Sequence, residues 1–478
     1  MASLVTNSLA MMAARLAVPA FSFGINVAVA RLLGEDVLGQ YVELVAMLLV
    51  AQALAGGGLT ALVTRDVAAQ PERKDEILRE SNRVALGTGL LSCALFLLYT
   101  ELLLPASSHA ASAWLALSVV PSAWIAVQEG WLMALHLHPR ITWVSGVEGL
   151  VKVAAALAVF AFGGGLVGLC AGLSLARIVA LVLGQVYLRR AGAVAPYRRP
   201  TGPLAPFARA LLPFAAIFTL GSLYFRQDVL VVGALRSERE TGFYGVASAF
   251  YAIALLVPSS VMAAVYPRLS AAYAVSKQTF VETCDYTTRL LTTASVPLAL
   301  GLIAVAQPIV HGIYGERYLE AVPTLCLLAA LLPLHGINTA IGQGMQAAHL
   351  QGQLLAMTCL AVVVNLGANL FLVERFGIVG APGALLLSSG ISLFVMAGIY
   401  HRHVAPVRPS PRHLLALFVV TAPIAATLWA PPWYRIPVAL AGTLFVALLA
   451  RPAGLLGPRE LARAGEVLGR TRVEGSGA

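Results

Sequence analysis

Charged residues are scarce in this chain of 478 residues: Asp, Glu, Lys and Arg together make up 11% of it. Soluble domains carry about 25% charged residues, so a soluble globular protein of this length is excluded. Hydrophobic residues account for 59% of the sequence, and the mean hydropathy is +0.82. Apolar runs of about 18 to 25 residues, each long enough to cross a bilayer, recur along the whole chain. We therefore expect an all-α polytopic membrane protein.

Motifs for enzymatic chemistry are also missing. The cysteines fit neither a metal site nor a redox pair by their spacing, so we expect no metal, no cofactor and no disulfide framework. The longest polar stretches contain no phosphate-binding loop, DxD pair, HExxH motif or nucleophile–base grouping. These absences predict that the chain is not an enzyme and does not hydrolyse ATP by itself.

The formal net charge of +10 does not indicate a nucleic-acid partner, because no basic cluster carries interleaved aromatic residues for base stacking. Lys and Arg concentrate instead in the loops that follow even-numbered apolar runs. By the positive-inside rule, this asymmetry places both termini in the cytoplasm of a bacterial cell, with the chain in the inner membrane. About fourteen transmembrane helices are predicted, with centres near Pro19, Leu49, Ala94, Ser122, Lys152, Arg177, Gly221, Leu255, Gly301, Leu332, Asn365, Ser388, Val420 and Gly442.

Two parts of the sequence resemble each other. VAVARLLGEDVLGQY ends the first predicted span and VVGALRSERETGFY ends the seventh, which aligns Gly39 with Gly242 and Tyr41 with Tyr244. GLVGLCAG before the sixth span likewise matches GIVGAPGA before the twelfth. Six helices separate the copies, so the repeats are expected to be parallel and related by an axis along the membrane normal. We expect two six-helix lobes around a central cavity, residues 1–200 and 201–402, followed by a helix pair and a tail in residues 403–478.

Charges also lie inside the predicted spans, where each would cost about 2.5–3.5 kcal/mol if it faced lipid. They must face the bundle interior or water. Glu148 and Lys152 are four residues apart and share a helix face, which leaves structural pairing and a role in a cavity both open. Arg226 and Asp228 lie about 200° apart around a helix and need separate partners. The full set is Arg15, Glu129, Glu148, Lys152, Arg177, Arg226 and Asp228.

The pattern ARLLG, four residues and GxY resembles the polysaccharide transport family, the flippases of O-antigen, capsule and related oligosaccharides. FRQDVLVVGAL in the seventh span and the GxxG starts of the sixth and twelfth resemble the same family, which belongs to the multidrug/oligosaccharidyl-lipid/polysaccharide exporter superfamily. The resemblance covers about residues 1–400. It implies a cationic cavity, and it matches Arg15 to a basic residue of the first helix and Asp228 to an acidic residue of the seventh. Gln227 and the charged loop SERE depart from the family's pattern and leave the substrate open.

The resemblance and the intramembrane cations together predict a flippase that moves a polyprenyl-diphosphate-linked oligosaccharide by alternating access. Arginine binds phosphate oxygens bidentately and stays charged. The cations expected to hold the diphosphate are Arg15, Lys152, Arg177 and Arg226. The acids expected to serve coupling or structural pairing are Glu129, Glu148 and Asp228. The alternatives are a multidrug or lipid II exporter of the same superfamily and, from another functional class, a membrane glycan polymerase or ligase. The expected partners are the lipid-linked substrate, the membrane, a coupling ion (H⁺ or Na⁺) and polysaccharide-assembly proteins.

Overall fold

The computed structural model describes residues 19–190 and 205–404, together with residues 192, 417 and 421. Within these ranges the chain forms α-helices joined by short turns. In order they are α1 Pro19–Leu33, α2 Glu35–Gly56, α3 Leu59–Ala69, α4 Lys74–Leu103, α5 His109–Ala116, α6 Val119–Ala134, α7 His138–Phe162, α8 Gly165–Arg190, α9 Ala205–Leu235, α10 Glu238–Ala254, α11 Leu256–Val275, α12 Lys277–Ile313, α13 Val322–Ala330, α14 Leu332–Ala347, α15 Gln351–Phe376 and α16 Gly380–His403. Short 3-10 turns occupy Pro71–Arg73, Ala106–Ser108, Glu316–Ala321 and Gly377–Val379.

Ten helical segments of the described part are long and apolar enough to cross a membrane. The last of them, Gln351–His403, contains two predicted spans as α15 and α16. The shorter α1 belongs to the first predicted span. Of the predicted thirteenth helix the structure describes only Leu417 and Thr421, and the predicted fourteenth lies outside the described residues. The prediction of an all-α polytopic membrane protein is confirmed.

Four predicted spans are each divided into two helices. The apolar runs of these spans did not predict the division. α2 gives way to α3 at Gly57 and Gly58, and Gly58 takes a left-handed φ of 79°. The other breaks lie at Leu117–Ser118, Leu255 and Leu331. The divided spans are the second, fourth, eighth and tenth, which are the second and fourth spans of each predicted repeat. The two copies therefore share the positions at which their helices are interrupted.

α6 and α14 end in the same unusual turn. His136 and His349, which follow these helices, adopt left-handed φ values of 57° and 60°. In both turns the next residue, a leucine, donates its N–H to a carbonyl five residues earlier at 2.9 Å. This six-to-one hydrogen bond belongs to the Schellman motif, whose left-handed residue is usually glycine. The recurrence of a strained histidine in corresponding helices is independent structural support for the internal repeat.

The chain divides into two compact units, the first of which is Met1–Gly245. In its described part α2 packs against α4, α6 and α9, while α8 packs against α5, α6 and α7. Large apolar side chains such as Leu44, Phe96 and Trp131 are fully buried between these helices. Others, including Leu157 and Phe162 of α7, are exposed on the outer surface. Such an apolar exterior is what a bilayer requires of a protein that it surrounds.

The second unit is Val246–Ala478. α12 packs against α11, α13 and α14, and α15 forms a hairpin with α16. The core between α11, α12, α14 and α16 contains Met262, Leu269, Phe280, Leu291 and Met345, all buried.

The two glycines aligned by the repeat lie in one close contact within the first unit. A Cβ at Gly39 of α2 would overlap the backbone carbonyl of Glu238, and a Cβ at Gly242 of α10 would overlap that of Glu35. Glu35 and Glu238 are themselves matched by the repeat, so the contact is reciprocal. Gln40 Nε2 also donates a hydrogen bond to Glu238 Oε1 at 2.8 Å. The glycine of each GxY motif is therefore needed because two helix starts cross there without room for a side chain.

Candidate functional site

The α7–α8 hairpin brings intramembrane charges together because its helices approach closely. The chain turns at Gly163, which has a left-handed φ of 76°. Beyond the turn Gly172 of α8 faces Ala155 of α7, and a Cβ at position 172 would lie 2.6 Å from the Ala155 Cβ. Further along the same hairpin Arg177 of α8 comes opposite Glu148 of α7.

Glu148 is the centre of the resulting network. Its buried carboxylate accepts hydrogen bonds from Arg177 Nη1 on Oε1 and Oε2, both at 3.1 Å. Lys152 Nζ, one turn along α7, lies 2.7 Å from Glu148 Oε1. Arg177 Nε donates to Ser122 Oγ of α6 at 2.9 Å, which fixes the plane of the guanidinium. One carboxylate thus binds two cations. The helical spacing of Glu148 and Lys152 allowed their pairing but did not require it, and it gave no indication of Arg177.

Glu129 of α6 completes this group of charges. It is partly buried and interacts electrostatically with both Arg177 and Glu148. We call Glu129, Glu148, Lys152 and Arg177 the α6–α8 cluster. The Arg177 and Lys152 side chains are 22% and 31% exposed, so both cations are accessible in part. Lysine has three N–H donors and arginine has five, so each cation can bind oxygens beyond those of Glu148.

α9 carries the other two intramembrane charges, Arg226 and Asp228, on different faces of the helix. Asp228 is buried, and the Tyr244 hydroxyl donates a hydrogen bond to its Oδ2 at 3.4 Å. Arg226 is partly exposed and forms no ion pair with any residue that the structure describes. Neither belongs to the α6–α8 cluster, and Arg15 lies outside the described residues.

Sequence reasoning missed Glu43, an acid of α2 that is 5% exposed. The Tyr99 hydroxyl of α4 donates a hydrogen bond to Glu43 Oε1 at 2.9 Å. A Cβ at Gly233 of α9 would overlap the Glu43 carboxyl, so α9 approaches it directly. The sequence feature that could have identified Glu43 is a lone acid directly before the apolar run LVAMLLVA.

In the second unit, polar side chains join α15 to α16. Asn369 Nδ2 donates to Asn365 Oδ1 at 2.8 Å, and Asn365 Nδ2 donates to Ser388 Oγ at 3.1 Å. All three residues are buried. The shared face of the two asparagines is thus used for hydrogen bonding between helices, which stabilises helix pairs in membranes.

A family model described as polysaccharide biosynthesis protein matches residues 4–273, more than half of the chain. The chain belongs to this family. The family expected from the ARLLG and GxY pattern is thereby confirmed. The chain is also 26% identical over 299 residues to a probable low-salt glycan biosynthesis flippase of Haloferax volcanii. That match covers 61% of the chain and 58% of the relative's length.

Solved structures share the fold of this chain. The lipid II flippase MurJ in its inward closed conformation gives a TM-score of 0.74 at 14% identity, covering 94% of this chain and 99% of that one. An inward-facing multidrug resistance MATE family transporter of the MOP superfamily gives a TM-score of 0.67 at 16% identity, covering 82% of this chain and 94% of that one. An outward-facing structure of a MATE family transporter gives a TM-score of 0.61 at 15% identity, covering 84% of this chain and 95% of that one. At such identities the likeness concerns the fold alone.

Proposed function

We propose that this protein is a flippase that moves a polyprenyl-diphosphate-linked oligosaccharide across a membrane by alternating access. The observation that carries the proposal is the α6–α8 cluster, in which two partly accessible cations are held within membrane-spanning helices. Charges at that depth are costly, and proteins retain them mainly along substrate or ion paths. The family and the naming of the Haloferax volcanii relative as a glycan flippase support a lipid-linked glycan as cargo.

Arg177 and Lys152 are the proposed diphosphate ligands of the first repeat. Both already bind the Glu148 carboxylate and have further N–H donors, so phosphate oxygens would bind beside that carboxylate rather than replace it. Glu148 then keeps its cations, and no buried charge is left isolated. Arg226 offers a further guanidinium on α9, and Arg15 is the fourth proposed cation.

The proposed motion is alternating access between two six-helix lobes, residues 1–200 and 201–402, around a central cavity. Structures with this fold are known in inward closed, inward-facing and outward-facing conformations, which supports the proposal. The C-terminal helix pair and cytoplasmic tail, residues 403–478, form the third proposed part of the chain. Glu129, Glu148 and Asp228 would pair structurally with the cations or take part in coupling to H⁺ or Na⁺.

We place the protein in the inner membrane of a bacterial cell with both termini in the cytoplasm, because Lys and Arg concentrate in the corresponding loops. The proposed activity is transport rather than catalysis. Proteins of polysaccharide assembly that deliver and consume the lipid-linked substrate are the proposed partners.

The test is a flipping assay in proteoliposomes that contain a fluorescent polyprenyl-diphosphate oligosaccharide and an external, membrane-impermeant quencher. R177Q, K152Q and R226Q should each slow flipping by about tenfold or more, the loss expected for a hydrogen bond to a charged group. R375Q is the matched control, since Arg375 lies at the end of α15 and packs over the Phe371 ring. Wild-type rates in all three variants, with the proteins stably inserted, would refute the phosphate-binding role.

A lipid II flippase is the second candidate, because the chain shares its fold with a protein of that name. Three further assays in the same vesicles separate the alternatives. The first measures flipping of lipid II, the second measures export of a cationic dye, and the third measures formation of sugar polymer from the oligosaccharide substrate. Faster flipping of lipid II, export of the dye, or polymer formation would each replace the proposed cargo or activity.

A further inference from the structure

Glu43 is a buried acid that the proposed mechanism does not use. It lies on α2 within a membrane-spanning segment, where the Tyr99 hydroxyl donates a hydrogen bond to it at 2.9 Å. Gly233 of α9 covers the carboxyl so closely that a Cβ at that position would overlap it. No cation lies within ion-pair distance of Glu43 in the part of the chain that the structure describes.

The charged groups on the surrounding helices do not supply one. The group that interacts with Glu43 electrostatically is Glu238 at the start of α10, which has the same sign. Arg226 of α9 lies near Tyr244 rather than Glu43. Several other charged groups on the neighbouring elements form contacts elsewhere: Glu101 with His109, Glu129 with Arg177, Asp228 with Tyr244, Arg236 with Glu240, and Arg239 with Glu35.

The contact between α2–α3 and α9, which we call the α2–α9 seam, is tight along its length. Besides the Glu43–Gly233 contact, Ser222 Oγ donates to the Leu49 carbonyl at 3.4 Å. At the other end Gly58 faces Phe214 so closely that a Cβ would overlap the ring-bearing side chain. A neutral carboxyl fits such a seam, because its hydroxyl and carbonyl need few partners. An ionised carboxylate needs more water than this seam provides, since Glu43 is only 5% exposed, or a cation, which the described part of the seam does not supply.

We propose that Glu43 is a proton-binding site, and that release of its proton separates α9 from α2. The inference rests on the proposed function, for which it selects the proton as the coupling ion. Proton binding stabilises the closed seam, and deprotonation stabilises the open one because water then reaches the carboxylate. The seam is therefore closed at low pH and opens as the pH rises. One coupled proton changes the ratio of open to closed molecules by up to about tenfold for each pH unit.

The experiment measures the seam directly and without substrate. Nitroxide labels are placed at Asp36 and Leu235, exposed residues of α2 and α9, after replacement of the five native cysteines. Distances between the labels are measured in nanodiscs by double electron–electron resonance across a pH series. The wild-type background should show a longer distance that grows with pH. E43Q, which mimics the neutral acid, should keep the short distance throughout, whereas E374Q, at an exposed carboxylate of α15, should behave as wild type.

A pair of glycine variants tests the same seam without changing Glu43. G233A places a methyl group against the carboxyl and should give the long distance at every pH. G221A lies on the same helix, where a Cβ meets nothing within 4 Å, and should titrate as wild type. The double variant E43A/G233A removes the overlap, so it should recover the short distance and lose the pH response.

An unchanged distance in the wild-type background across the pH series overturns the proposal, as does an E43Q variant that titrates like wild type. If E43Q does not insert, the pH series and G233A still decide. A label distance that grows with pH, without flipping of the oligosaccharide, would support the proton site and refute the proposed cargo. Flipping of the oligosaccharide with a label distance that changes neither with pH nor in E43Q would support the cargo and refute the proton site.

Discussion

Glu148→Gln tests the α6–α8 cluster most directly, because this carboxylate lies within ion-pair distance of both Arg177 and Lys152. The substitution preserves the shape of the side chain and removes its charge. Arg177 then keeps at most one hydrogen bond, to the neutral amide oxygen, in place of two of 3.1 Å to the carboxylate, and Lys152 loses an ion pair of 2.7 Å. Two cations remain side by side within the membrane span.

Removing one partner of a buried ion pair costs about 3–5 kcal/mol. Arg177 and Lys152 are 22% and 31% exposed, so water relieves part of this cost, and we expect E148Q to destabilise the protein by about 3 kcal/mol. R177Q and K152Q each leave Glu148 with one cation. Each should therefore cost less, about 1–2 kcal/mol.

The measurement is equilibrium unfolding in mixed micelles, with E374Q as the exposed-carboxylate control. The double variant E148Q/R177Q should be more stable than the sum of the single effects, by about 0.5–3 kcal/mol, because it removes both members of the pair. A stability of E148Q within about 0.5 kcal/mol of wild type, or strict additivity in the double variant, would show that the cluster does not hold these helices together.

Two further predictions concern the repeat. Gly39→Ala should cost about 1–3 kcal/mol of unfolding free energy, because the new methyl group meets a backbone carbonyl that cannot move aside. Gly367→Ala, where a Cβ meets nothing within 4 Å, should lack this penalty, and equal stabilities would contradict the close crossing. His136→Gly should raise stability by about 1 kcal/mol, because glycine adopts a left-handed φ without strain. A lower unfolding midpoint would mean that the imidazole makes a contact that outweighs the strain.

Much of the architecture could be predicted because a bilayer imposes simple rules. Backbone groups in hydrocarbon must be satisfied within a helix, so apolar runs of sufficient length become membrane-spanning helices. The breaks at Leu255 and Leu331 were not predicted, since they interrupt runs that remain apolar. A break depends on which neighbouring side chains occupy the space beside the helix, and that information is not local.

The candidate site divides in the same way. The high cost of intramembrane charge identified Glu148, Lys152 and Arg177 as residues that must avoid lipid. Their helical spacing allowed the Glu148–Lys152 pair, whereas the contact with Arg177 depends on the close approach of α7 and α8 at Gly172. Glu43 was missed because a single acid near the end of a span is easily placed at the interface, and only the packing of α4 and α9 shows it to be enclosed.

The sequence by itself determined that the chain is a helical membrane protein with an internal repeat and with charges that lipid cannot accommodate. Hydropathy and helical periodicity act over a few turns, so they can be read without knowing the fold. Only the tertiary structure decided that Glu148 holds both Arg177 and Lys152, and that Glu43 lies closed between Tyr99 and Gly233. Those contacts join residues up to 190 positions apart in the chain, and their strength depends on how much water the packed helices exclude.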